Sequence, residues 1–220
     1  MTATVDISND IAVLTLGDDE NRFSPEWLET VDTHLTDIES NARGLITVGS
    51  GKFYSNGLDL EWLMSHGDRA EWYVGQVQAL FNRILTFPLP TLAAVNGHTF
   101  GAGAMFAIAH DYRLMREDRG YYCFPEVDIN IPFTPGMAAL IQAKLSPQTA
   151  TTAMTTGHRY GADEAVAAGL VDGTAPESEL IASALDRLTP IAGKDRGTLG
   201  AIKTTMYASV STALSQGRTA

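Results

Sequence analysis

The chain has a single cysteine among its 220 residues, Cys123. One thiol excludes an internal disulfide framework and a cluster of thiolate metal ligands, and it is typical of proteins from reducing compartments. Cys123 lies in the apolar stretch YYCF. A small buried hydrophobic residue is therefore the better interpretation of this cysteine than a nucleophile.

Several catalytic and ligand-binding motifs are also missing. No pair of histidines has the H-x-x-x-H or H-E-x-x-H spacing of zinc sites, so we expect no metal. The G-x-S-x-G nucleophile elbow is absent, which removes the commonest α/β hydrolase mechanism. A G-x-G sequence occurs at 101–103, but Phe106 stands where the dinucleotide fingerprint needs a third glycine, and no G-K-[ST] follows. These glycines are therefore not predicted to bind a nucleotide phosphate.

Positive charge is scarce, with 15 Lys and Arg against 26 Asp and Glu. A net charge of -11 disfavours a nucleic-acid surface or an anionic membrane as partner. No apolar run is long enough to span a bilayer, the start MTATVDISND is not a secretory signal, and the end GRTA is not a peroxisomal signal. We expect a cytoplasmic protein that binds neither nucleic acid nor membrane.

The hydrophobic pattern predicts strands that alternate with helices. ATVDIS and IAVLTL flank a turn at Asn9 and Asp10 and indicate a hairpin, while GLITVG and TLAAV read as buried strands. Ser24 and Thr134 each precede a proline that opens a helix, and a long helix is expected from about Asp59 to Leu85. This alternation predicts an α/β fold with parallel strands, divided into a core at 1–145 and a helical segment at 146–220.

Two glycine turns, SNGLDL at 55–60 and GAGAM at 101–105, each follow a β-type run and precede a helix. Turns of this kind can converge and present two free backbone N–H groups to one oxygen that becomes negative during a reaction. Alternatively, both are ordinary junctions between a loop and a helix, with Asp59 as a plain N-cap. The residues alone favour the ordinary junction.

Four motifs in order carry a resemblance to a known family: GKFYSNGLDL, PTLAAVNGHTFGAGAMFAIAHDYRLM, YYCFPEVDINIPFTPGMAAL and GADEAVAAGLVDG. Together they resemble the crotonase, or enoyl-CoA hydratase/isomerase, superfamily from about Ile11 to Asp172, and most of all its Δ3,Δ2-enoyl-CoA isomerases. The resemblance implies the ClpP/crotonase spiral of ββα units with a C-terminal helical segment for oligomerisation. It also implies an acyl-CoA substrate, no cofactor beyond the CoA of that substrate, and a homotrimer or hexamer.

The resemblance assigns catalytic roles by position. The amides of Leu58 and Ala102 correspond to the two donors of the family's oxyanion hole. Glu126 corresponds to the second of two glutamates found in hydratases, while Met105 stands in place of the first. A single carboxylate matches the isomerases, in which it moves a proton from C2 to C4 of a 3-enoyl-CoA. Without the resemblance, Glu126 would be read as a solvated residue after a proline.

Substrate-binding residues follow by the same analogy. Asn56 and Gly57 belong to the first turn, and Arg22, Lys52 and Lys203 are candidate partners of the CoA phosphates. Each of these cations is equally well an ordinary surface charge.

Trp62 and Met105 are candidates for the wall of the acyl pocket, although such residues at helical positions are more often core.

Two alternatives remain open. The first is a hydratase or another enzyme that acts through a thioester enolate, such as an acyl-CoA hydrolase, in which Asp128 or Asp59 supplies a second acid. The second is an acyl-CoA binding protein without catalytic activity.

Overall fold

The computed structural model describes residues 3–216. The first two strands, Thr4–Ser8 (β1) and Ile11–Thr15 (β2), form the antiparallel hairpin that the sequence predicts. Asn9 and Asp10 connect them with φ values of 52° and 63°. Asparagine and aspartate tolerate this left-handed conformation, which a two-residue hairpin turn requires.

Seven further strands alternate between two sheets. They are Gly44–Val48 (β3), Phe53–Ser55 (β4), Thr91–Val95 (β5), His98–Phe100 (β6), Tyr112–Arg116 (β7), Tyr122–Cys123 (β8) and Gly173–Ala175 (β9). The large sheet has the order β1-β2-β3-β5-β7-β9 and the small sheet β4-β6-β8. Every strand pair in these sheets other than β1–β2 is parallel. The sequence prediction of parallel pairing is confirmed.

Helices connect the strand pairs. Those of the first part of the chain are Pro25–Asn41 (α1), Leu60–Ser65 (α2), Ala70–Leu85 (α3), Ala102–Ala109 (α4) and Pro135–Lys144 (α5). Those of the second part are Pro147–Thr156 (α6), Ala162–Ala167 (α7), Leu180–Leu188 (α8), Arg196–Met206 (α9) and Ala208–Ser215 (α10). From β3 onwards, three units in succession place one strand in each sheet and then return through helix. This is the spiral of ββα units.

The helix expected from Asp59 to Leu85 is interrupted, so that part of the prediction is wrong. α2 ends at Ser65, His66 leaves the helical region with φ −129° and ψ 50°, and Gly67–Arg69 forms a 3-10 turn before α3 begins. The His66 ring stacks on Trp62 with 4.4 Å between the ring centroids. Glycine has low helix propensity, so the combination of Gly67 with this local stacking ends the first helix.

The helix α4 lies at the centre of the fold, and all eight of its residues are buried. Its small residues allow a close approach to the small sheet. A Cβ atom on Gly103 would lie only 2.4 Å from the carbonyl oxygen of Ser55, at the end of β4. The second glycine of the GAGAM turn is therefore required by packing between α4 and β4.

The boundary at residue 145 does not coincide with a break in the fold. β9 pairs with β7 in the large sheet, and α8 packs through Leu180, Ala184 and Leu188 on the face of that sheet opposite the main core. A Cβ atom on Gly136 in α5 would lie 2.7 Å from the Cα atom of Leu214 in α10. The segment from 146 onwards thus contains a strand and completes the core. None of the helices within 3–216 combines the length and apolar character needed to cross a membrane.

Candidate active site

A cavity of about 210 Å³ lies where the strands of the small sheet end. β4, β6 and β8 are parallel, so their carboxyl ends meet at one edge of the sheet. Asn56 and Leu58 follow β4, Gly101 and Ala102 follow β6, and Glu126 follows β8; all five line the cavity. The topology thus brings together residues that are far apart in the sequence.

The first turn is fixed by Gly57, whose φ of 80° lies in the left-handed region. A Cβ atom here would lie 2.8 Å from both the amide nitrogen of Ala102 and the carbonyl oxygen of Phe100. The Gly57 carbonyl accepts a hydrogen bond from the Phe23 amide at 2.9 Å. Because a trans peptide is planar, this bond also sets the direction of the Leu58 N–H, which points away from Phe23.

The second turn has the same construction. Gly101 has φ 53° and ψ −121°, and its carbonyl accepts a hydrogen bond from the Met105 amide at 3.0 Å. The next amide belongs to Ala102, the first residue of α4. An amide in this position has no partner inside the helix and lies at the positive end of the helix dipole.

The two turns touch, and their amides are free. Within residues 3–216, neither the Leu58 nor the Ala102 N–H has a hydrogen-bond acceptor. Two preorganised amides at the wall of one cavity can donate to the same negatively charged oxygen. The geometry therefore departs from what an ordinary junction between loop and helix requires.

Glu126 lies in the turn after β8 and is only 7% exposed. Its Oε1 atom approaches Gly101, 3.3 Å from the position that a Cβ atom would take, and its Oε2 atom has no hydrogen-bond partner among the described residues. Burial raises the pKa of this carboxyl from 4.5 to about 7, and a bond to its own backbone amide offsets part of the effect. A carboxyl with this pKa can accept and return a proton at neutral pH.

Glu126 is the sole acid among the described residues that line the cavity. Asp59 caps α2 by accepting a hydrogen bond from the Trp62 amide at 2.9 Å. Asp128 is exposed and lies against Gly157, and neither aspartate lines the cavity. Met105, in the position of the first hydratase glutamate, is a core residue of α4 with 1% exposure.

Of the predicted substrate-binding residues, Arg22 and Asn56 line the cavity, and Gly57 shapes its turn. Arg22 donates to the Leu58 carbonyl at 3.2 Å and pairs with Glu20 at 2.5 Å.

The other predicted residues lie outside the cavity wall. Lys52 precedes β4, at the opposite end of the strand from Asn56, and its Nζ atom lies over the Phe53 ring. Trp62 packs against Tyr73, and Met105 faces the core. Lys203 is buried in an ion pair with Asp111 at 2.6 Å.

Residues that the sequence did not suggest also line the cavity. Leu60, Phe100, Ile129 and Ile131 provide apolar walls, and Arg159 adds a second cation. The sequence signal for Ile129 and Ile131 is their place in the VDINI stretch directly after Glu126. No sequence signal marks Arg159, because a long-range antiparallel bridge between Tyr122 and Tyr160 brings it to the cavity. No group of three or more potential metal ligands occurs in the described part of the chain.

Comparison with known proteins agrees with this architecture. The family model described as enoyl-CoA hydratase/isomerase matches residues 6–220. Enoyl-CoA delta isomerase 3 of Arabidopsis thaliana is 40% identical over 184 residues, which are 80% of this chain and 77% of that protein. Enoyl-CoA delta isomerase 2, peroxisomal, of the same plant is 37% identical, over 80% of this chain and 78% of that protein.

Solved structures show the same fold. The crystal structure of human mitochondrial delta3-delta2-enoyl-CoA isomerase superposes with a TM-score of 0.92 at 22% identity, covering 99% of this chain and 88% of that one. An enoyl-CoA hydratase/isomerase family protein from Pseudomonas syringae also gives 0.92 at 22% identity, over 98% and 94% of the two chains. The expected crotonase spiral is confirmed. The chain belongs to the enoyl-CoA hydratase/isomerase family.

Proposed function

We propose that the protein is an enoyl-CoA isomerase, which moves the double bond of a 3-enoyl-CoA to the 2-position in fatty-acid degradation. The observation that carries this proposal is the pairing of two free amides with a single buried carboxyl at one cavity. The names of the Arabidopsis relatives as enoyl-CoA delta isomerases support the same reaction. The reaction is redox-neutral and needs no cofactor beyond the CoA of the substrate.

In the proposed mechanism the thioester oxygen accepts hydrogen bonds from the amides of Leu58 and Ala102. These bonds stabilise negative charge on that oxygen and so acidify the C2 protons. Ionised Glu126 removes one proton from C2, and the C2–H electron pair becomes part of a dienolate that extends to C4. Because the peptides at both amides are already held by hydrogen bonds from Phe23 and Met105, little reorganisation accompanies charge development.

The second half of the reaction returns the same proton. Protonated Glu126 delivers it to C4, the double bond settles between C2 and C3, and the thioester carbonyl reforms. No atom is gained or lost. A carboxyl whose pKa lies near 7 suits both halves, since it must act first as a base and then as an acid.

Hydration is less well supported by the geometry. Syn addition of water is served by two carboxylates, and Met105 occupies the position of the first. Asp59 and Asp128 are held elsewhere. A non-catalytic acyl-CoA binding protein has no need for a buried carboxyl with an unpartnered oxygen, which costs stability.

CoA binding, assembly and location complete the proposal. We expect Arg22 to contact the CoA moiety, because it lines the cavity beside the Leu58 turn, whereas Lys52 and Lys203 do not line the cavity. We infer a homotrimer or hexamer, for which exposed apolar side chains such as Val127 and Met206 offer contact area. A cytoplasmic location stays a prediction, since two Arabidopsis relatives are named as peroxisomal.

Substrate choice tests the reaction. With 3-hexenoyl-CoA we expect formation of 2-hexenoyl-CoA, followed by the absorbance of the conjugated thioester. With crotonyl-CoA we expect no comparable formation of 3-hydroxybutyryl-CoA, measured by chromatography. Rapid hydration of crotonyl-CoA without any shift of the double bond in 3-hexenoyl-CoA would contradict the isomerase assignment and support a hydratase.

The pH dependence tests the role of Glu126. The carboxylate is the active form in the free enzyme, and burial raises its pKa to about 7. We therefore expect kcat/KM to rise about tenfold per pH unit below this value and to level off above it. The measurement is kcat/KM for 3-hexenoyl-CoA between pH 5.5 and 9, with circular dichroism to verify folding at each pH. A flat profile, or a midpoint near 4.5, would argue against this base.

A further inference from the structure

Arg159 lies at the cavity and has no role in the reaction as proposed. Its guanidinium sits 5.7 Å from the centre of the Phe100 ring, which is itself part of the cavity wall. Arg159 is an exposed residue, and within residues 3–216 its side chain has no ion pair and no hydrogen bond. Arg22, the other cation of the cavity, is by contrast paired with Glu20. Because Arg159 lines the cavity and its guanidinium is not engaged by another side chain, it is available to pair with an anionic group of a ligand.

The order of the segments places Arg159 at one end of the site. Arg22 bridges Gly57 next to β4, β4 pairs with β6, β6 pairs with β8, and Tyr122 of β8 bridges Tyr160. From one end of the cavity to the other, the spatial order is therefore Arg22, the Leu58 and Ala102 amides, Glu126 and then Arg159. Adjacent segments are about 4.8 Å apart, so the backbone segments that carry the two arginines lie at opposite ends of this order.

The proposed reaction determines in which direction the acyl-CoA lies along these groups. The thioester oxygen is held at the Leu58 and Ala102 amides, while C2 and C4 both face Glu126. The acyl chain therefore runs from the amides past Glu126, towards Arg159. The sulfur and the rest of CoA leave on the side of Arg22. Arg159 is thus beyond the reacting carbons and close to the distal part of the acyl chain.

We propose that the enzyme acts on acyl-CoA substrates whose chain ends in a carboxylate, and that Arg159 binds this distal carboxylate. The inference rests on the proposed function, because the reaction sets the direction of the chain. Leu60, Phe100 and Ile131 line the same cavity and offer apolar surface to the methylene groups of the chain. A guanidinium beside this surface fits a carboxylate in bidentate fashion.

Charge balance supports the same substrate class. A second carboxylate close to Glu126 would disfavour ionisation of Glu126 and so weaken the base. Arg159 offsets this repulsion by pairing with the incoming group. A chain that ends in a methyl group gains no ion pair or charge-assisted hydrogen bond from this guanidinium.

The test compares ω-carboxyl substrates with their neutral methyl esters. The substrates are 3-hexenedioyl-CoA and 3-octenedioyl-CoA, and each monomethyl ester has nearly the same length without the distal charge. For the wild type we expect kcat/KM to be at least about tenfold higher for one of the two dicarboxylic thioesters than for its ester. In Arg159→Gln this preference is expected to disappear through loss on the charged substrate, while the ester changes by less than about twofold. Arg159→Lys is expected to retain part of the preference.

Two controls separate the possible outcomes. Arg187→Gln removes an exposed arginine that lies over Tyr112, outside the cavity, and is expected to preserve the preference. Pantetheine thioesters of the same acyl groups lack the CoA phosphates. An Arg159→Gln defect that appears with every CoA ester and vanishes with the pantetheine thioesters would identify phosphate as the ligand and overturn the proposal, as would equal losses on all substrates.

Calorimetric binding of adipoyl-CoA and of its methyl ester separates this inference from the isomerase assignment. Preference for the free carboxylate that depends on Arg159 supports the inference even if no double-bond shift is seen. Isomerisation of 3-hexenoyl-CoA without any preference for a distal carboxylate would leave the isomerase assignment intact and overturn the inference.

Discussion

Replacing Glu126 by glutamine is expected to lower kcat/KM for 3-hexenoyl-CoA by about a hundredfold to ten-thousandfold. Glutamine keeps the size of the side chain and loses the ability to take a proton from C2. The two amides at Leu58 and Ala102 are untouched, so binding of a saturated acyl-CoA is expected to change little. Steady-state kinetics and calorimetry of hexanoyl-CoA binding measure the two effects separately.

Asp128→Asn provides the matched control. Asp128 lies two residues further along the same turn but outside the cavity, and its loss is expected to change kcat/KM by less than about twofold. Full activity in Glu126→Gln would refute the assignment of the base. A strong defect in Asp128→Asn would instead favour a mechanism with two acids.

The Glu126→Gln variant also has a stability signature. The pKa of Glu126 is about 7 in the folded protein and near 4.5 when exposed, so the unfolded state loses its proton first as the pH rises. This carboxyl therefore destabilises the fold progressively from about pH 4.5 to pH 7. Relative to wild type, the variant is expected to gain up to about 3 kcal/mol in unfolding free energy between pH 5 and pH 8. Denaturant unfolding at both pH values measures this difference.

Gly57→Ala is the second substitution with a large expected effect. Its Cβ atom would lie 2.8 Å from two backbone atoms, and alanine is strained at a φ of 80°. The turn must shift, which moves the Leu58 amide away from the Ala102 amide. Loss of one such donor lowers kcat by about a hundredfold to a thousandfold, and we expect this range here. Stopped-flow measurement of the double-bond shift reports this step directly.

Gly169→Ala separates backbone strain from displacement of the turn. Gly169 has a similar φ of 73°, but nothing lies within 4 Å of the position of its Cβ atom. This variant is expected to lose about 1 kcal/mol of stability and to retain its activity. Equal activity of Gly57→Ala and wild type would show that the Leu58 amide takes no part in the reaction.

The sequence predicted those parts of the site that depend on local structure. Glycines after two apolar runs marked the turns at Gly57 and Gly101, because only glycine tolerates their backbone conformations and close contacts. The helix starts at Ser24 and Thr134 were predicted by capping and proline rules, and their side chains do cap the helices. That the turns converge was not predictable from the residues alone and came from the resemblance.

Other features depended on contacts between distant segments. Lys52 and Asn56 are close in sequence, yet the direction of β4 puts them at opposite ends of the strand. Arg159 enters the cavity wall through its neighbour Tyr160, which pairs with Tyr122. The break between α2 and α3 was not predicted, because the helical spacing of the apolar residues in α3 suggested that this helix continued from the segment before it.

The proposed oxyanion donors are main-chain atoms, and this has a consequence for how such an activity is inherited. Leu58 and Ala102 can exchange their side chains during evolution while still supplying the same N–H groups. The constraint falls on Gly57 and Gly101, which never touch the charge, and on the partners that anchor their carbonyls. Divergent descendants of this protein are therefore better recognised by the glycines that flank the donors than by the donors themselves.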